Sequence, residues 1–152
     1  MEGDDRDLIA DLYRAFAPYE RPDSFIGCPC GGCWGGLGDR IGFDSSGAVV
    51  VPAPGGGRAL SSLDESDLDN FVETVPGTSG DVKVYKHYLP RILEILAEGG
   101  WQEWPEADDV WRNLQRSVDP PWPEWPEAES SAIRGFVQRF EEDDAAEDRA
   151  AD

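Results

Sequence analysis

The chain reads as a mainly α-helical single-domain helical bundle of about five helices, with a small cysteine knuckle and a β-hairpin inserted after the first. Three observations predict that fold. Apolar residues recur at helical spacing in about five separate stretches. One glycine-rich segment, 24–58, interrupts them and holds every cysteine. Inside that segment, two short strand-like runs flank a turn.

The first helix is carried by Leu8, Ile9, Leu12, Tyr13 and Phe16, which share one face. Asp4, Asp5 and Asp7 suit its positive end, and Pro18 and Pro22 stop it. In the insert, Arg40–Phe43 and Ala48–Val51 flank Asp-Ser-Ser-Gly as a hairpin with a four-residue loop. A second helix is expected from Ser62, with Ser62 and Glu65 as a capping box and Leu68, Phe71, Val72 and Val75 as its stripe. The third runs from about Asp81 to Glu98, with Tyr85, Tyr88, Leu89, Ile92, Leu93 and Leu96 inward. Pro90 should kink or divide it, and Gly99-Gly100 closes it.

An internal echo opens the last two helices: WQEWPEA at 101–107 and WPEWPEA at 122–128. Proline near a helix start, acids in the first turn and a tryptophan folding back as a staple explain both copies. Two related aromatic partner sites are the functional alternative. Val110, Trp111 and Leu114 follow the first copy; Ile133, Phe136, Val137 and Phe140 follow the second. The domain is expected to span 1–140. Residues 141–152 read as an acidic tail, frayed helix or disordered.

At 152 residues and 39% hydrophobic, one domain with a packed core is expected. The net charge is −19, and without the tail's seven acids and one base it is still −13. Such a field repels phosphate backbones and anionic membranes, which argues against nucleic-acid binding through a basic face. It favours a basic protein partner or a bound cation, while acidity also serves solubility alone. Without a basic and apolar leader or a run of membrane-spanning length, the expected location is cytoplasmic. There, clustered cysteines read as metal ligands or redox thiols before disulfides.

All three cysteines lie in CPCGGC, 28–33. Cys30-Gly-Gly-Cys33 has the form of a zinc knuckle, and Cys28 offers a third thiolate. The chain's sole histidine, His87, completes a Cys28, Cys30, Cys33, His87 site for zinc. Against this stand three unliganded thiols, a redox pair, or a nucleophile with His87 as base. Lys83, His87, Arg91 and Glu94 follow one another at helical spacing. A histidine between two cations disfavours its charged form, which suits a metal ligand or a base. The alternative is a solvated face with an Arg91–Glu94 pair.

Thr78–Glu94 reads TSGDVKVYKHYLPRILE. Arg21-Pro22, Phe25 and Cys28–Cys33 precede it, and Trp122–Glu129 follow. In these segments the chain resembles an uncharacterised family of small acidic bacterial proteins with an early CxxC and a TxGDxxxYKHYLPRxLE-like motif. The resemblance implies that the cysteines, His87 and Arg91 belong to one arrangement, and it carries no activity. This chain has CPCGGC and a glycine-rich insert where the family has a plain CxxC, which leaves open how many cysteines take part. The expected function is a non-enzymatic, zinc-stabilised bacterial interaction protein. Its alternatives are an acidic inhibitor (an immunity-type protein or nucleic-acid mimic) of a basic toxin or nuclease, and a metal- or thiol-dependent enzyme.

Overall fold

Apolar spacing explains where the helices lie. The computed structural model describes residues 3–27, 42–43, 45–47, 49–55, 58–75, 82–100, 107–118 and 120–151. Helix α1 spans Gly3–Phe16 and buries Ile9, Leu12 and Phe16. Helix α2 spans Glu65–Thr74, and α3 spans Val82–Ala97. Helix α4, Ala107–Arg112, runs on into a π-helical turn, Asn113–Ser117. Helix α5 covers Glu127–Ala151. The segment read as an acidic tail is therefore helical as far as Ala151.

Helix α1 lies antiparallel to α5: Asp5 reaches Arg139, and Phe16 meets Trp125 edge-on. Its opposite flank packs on α3, while α2 packs on α3 and α4. The expected core of α3 is buried, including Tyr85, Tyr88, Leu89, Ile92 and Leu93. Pro90 does not divide the helix. It lies inside a continuous α3 with its ring buried, so tertiary packing outweighs the missing backbone donor. Gly99 and Gly100, both with positive φ, end α3 as expected, with the Gly100 amide donating to the Ile95 carbonyl at 2.9 Å.

The hairpin is present and belongs to a larger sheet. β2, Gly42–Phe43, pairs antiparallel with β3, Val49–Pro52, and β1, Ser24–Ile26, pairs with the other edge of β3. Phe25 and Val51 face each other and are buried, whereas Ile26 and Phe43 are 50% and 72% exposed. β1 falls in the stretch expected to be irregular, because three residues cannot display an alternation. Two contacts anchor the sheet to α3. Phe71 of α2 lies between Phe25 and Tyr88, and the Tyr88 hydroxyl donates to the Pro54 carbonyl at 2.9 Å.

The start of α2 differs from expectation. Asp64, not Ser62, is the cap, and its box partner is Asp67. Ser62 instead closes a 3₁₀ turn, Leu60–Ser62. Leu63 decides the register, since it is buried against Gly55, where a Cβ would come within 2.5 Å of the leucine. The second tryptophan echo also starts its helix indirectly: Trp122–Glu124 form a 3₁₀ turn, and α5 begins after Pro126. The first echo lies outside the described residues up to Glu106.

Candidate functional site

Helix α3 grips one residue of the α1–β1 connection from two sides. His87 Nδ1 lies 2.8 Å from the Tyr19 carbonyl oxygen. Lys86, one position earlier, donates to the Tyr19 hydroxyl at 3.0 Å and pairs with Glu129 of α5 at 2.7 Å. The Tyr19 hydroxyl in turn donates to Glu129 at 2.7 Å. Trp125 lines the other side, with the Lys86 ammonium 4.4 Å from its ring centre. Lys86 and Glu129 have side chains only 8% exposed, so this is a buried ion pair in an aromatic box.

Sequence reasoning missed both charged members. The signal was present: Lys86 stands in register with Leu89 and Leu93, and Glu129 with Ile133 and Phe136. Opposite charges on two apolar stripes point to a buried pair. Trp125, expected as a staple on its own helix, packs into the core edge-on to Phe16 of α1, with its indole N–H on the Pro120 carbonyl at 2.8 Å. Trp122 stays half-buried and bonds to Gln115.

The four residues expected on one face of α3 divide into separate groups. Arg91 turns away from His87, donating to the Leu63 carbonyl at 2.7 Å and to Glu94 at 2.6 Å. Glu94 also accepts from the Tyr13 hydroxyl at 2.7 Å, which ties α1 to α3. Lys83 is exposed beside Pro18, Tyr19, Glu20 and Pro22. The Arg91–Glu94 pair is thus an internal brace with no tie to His87.

Cys28, Cys30 and Cys33 lie outside the described residues. Among the described residues no group of three His, Cys, Asp or Glu side chains converges on a point. His87 shows one relevant feature. A carbonyl only accepts, so Nδ1 is the donor in this bond, and Nε2 is the ring nitrogen not engaged by Tyr19. A backbone carbonyl on one ring nitrogen is how metal-binding histidines are commonly held.

Burial raises the hydroxyl pKa of Tyr85 and Tyr88 well above the ordinary tyrosine value, and burial with the Glu94 bond does the same for Tyr13. For Lys86, burial alone would lower the value, but the bonds to Glu129 and Tyr19 outweigh it and raise it. Each group holds its proton more tightly folded than unfolded. Their stabilisation is complete below about pH 10, where the unfolded groups begin to titrate, and is lost as pH rises toward the folded values. Urea unfolding should therefore show a midpoint steady from pH 8 to 9.5 and falling steeply by pH 11. The enclosed Tyr85 alone would account for up to about 1.4 kcal/mol per pH unit. A midpoint unchanged at pH 11 would contradict this.

No family model matches the chain, and neither a curated protein nor a solved structure matches it. Among the described residues, no helix is long and apolar enough to cross a membrane.

Proposed function

We propose that the protein is a non-enzymatic, zinc-stabilised interaction protein of the bacterial cytoplasm, in which Cys28, Cys30, Cys33 and His87 hold one zinc ion. The observation that carries this reading is the Nδ1 bond of His87 to the Tyr19 carbonyl, which leaves Nε2 as a ligand in a fixed orientation. Three thiolates and one imidazole make a closed tetrahedral set, the structural form of a zinc site. The metal would fasten the glycine-rich segment to α3. The polar groups nearest His87 are already committed to internal partners, Lys86 to Glu129 and Arg91 to Glu94, which favours a holding role over catalysis.

His87→Ala is expected to lose most of the bound zinc and to lower the melting temperature. It also removes the bond to Tyr19, so Cys30→Ser serves as a second variant that leaves that bond intact. Both should release metal. Unchanged zinc content in either variant would exclude that residue as a ligand.

A second reading follows from the charge, 32 acids against 13 bases. Such a surface suits capture of a basic protein, as an immunity-type inhibitor or nucleic-acid mimic would achieve. Its affinity should fall steeply with salt. Capture insensitive to salt would count against it.

A further inference from the structure

Helices α1 and α5 meet along a seam where Leu8 lies close to Gly135, 3.1 Å from where a Cβ would stand. Beside that seam, Leu8, Ala15, Pro18, Ala128 and Ala132 floor an open groove of about 430 Å³. Small side chains on both helices leave room for apolar groups arriving from outside.

The rim is acidic. Asp11 lines the groove, and Asp7, Glu124 and Glu127, one to four positions from floor residues in the chain, are exposed. Two arginines, Arg14 and Arg134, share the rim, and both are engaged. Arg14 pairs with Asp11 at 3.0 Å, and Arg134 lies over the Trp122 ring. An apolar floor inside a net negative rim is the complement of an amphipathic helix with a cationic border. It is a poor match for a second copy of this chain, which would bring another −19 against it.

The geometry points to the α1–α5 groove as the docking site for a cationic amphipathic helix of a partner protein. An apolar ridge of that helix enters the groove, and its lysines or arginines cover Asp7, Asp11, Glu124 and Glu127. This rests on the reading of the chain as an interaction protein with a basic partner, and it names the surface and the shape of what binds.

The test uses the isotope-labelled full chain with a short synthetic helix of leucine and lysine in amphipathic order. A peptide of the same composition, permuted to destroy the apolar face, is the control. Amide shifts should gather at Leu8, Ala15, Ala128 and Ala132 and persist in part at high salt. Ala128→Trp, at an exposed helix position, should weaken binding by about tenfold or more with the fold intact by circular dichroism. Glu98→Gln, in the turn that follows α3, should leave binding unchanged. The proposal is overturned if the permuted peptide binds as well, if shifts spread evenly over the acidic surface, or if Ala128→Trp binds like the unaltered chain. A dimer without peptide whose interface covers Leu8, Ala15, Ala128 and Ala132 would overturn it too, by placing a second copy in the groove. Neither groove helix contains a proposed zinc ligand, so chelator-treated protein should respond as the untreated protein does. A groove response in protein that carries no zinc as purified would leave this proposal standing while the metal reading fails, and full zinc without groove response would do the reverse.

Discussion

Glu129→Ala is expected to lower the unfolding free energy by about 3–5 kcal/mol, because it strands the Lys86 ammonium in an aromatic box. The converse change, Lys86→Met, should cost a comparable amount. Among the described residues Glu129 Oε1 has no partner other than that ammonium, at 2.7 Å. The double variant Lys86→Met/Glu129→Leu should be less destabilised than either single one, since no charge is then left buried. Urea midpoints at unchanged m-value report all three. A single variant within about 1 kcal/mol of the parent, the range of an exposed pair, would show that the pair is solvated.

Phe71→Ala should cost about 3–5 kcal/mol, the range for emptying an aromatic site in a packed core. Phe71 is 1% exposed and packs edge-on to Phe25 of β1 and tilted against Tyr88 of α3, with ring centres 5.8 and 4.6 Å away. Its loss should loosen the sheet before the helices. Amide exchange should therefore accelerate in β1–β3 more than in α1 and α5. Equal acceleration throughout, or a loss under about 1.5 kcal/mol, would mean that the sheet is held by other contacts.

The helices were legible because each buries a stripe long enough to repeat. On α3 the repeat covers Tyr85 to Leu96, and Pro90 does not divide it because its buried ring offsets the lost donor that local rules weigh alone. The hairpin was legible from its turn residues, whereas β1 was not, since its partner lies some two dozen residues away on β3. At α2, two overlapping i, i+3 pairs competed, and burial of Leu63 selected Asp64 over Ser62. The buried pair was hidden for another reason. A lysine or glutamate in an apolar stripe looks like the border of a solvated face until its partner on another helix is known. Of the proposed metal ligands, His87 gains a structural context in its bond to Tyr19. The cysteines remain a sequence pattern, so the spacing of CPCGGC supports them without geometry.

Zinc content decides between the clasp and three free thiols. Protein prepared without added zinc, analysed for metal and titrated for thiols in the same sample, gives the direct measurement. The clasp predicts about one zinc per chain, with thiols that react only after a chelator is added. A metal-free chain whose cysteines react at once would contradict it.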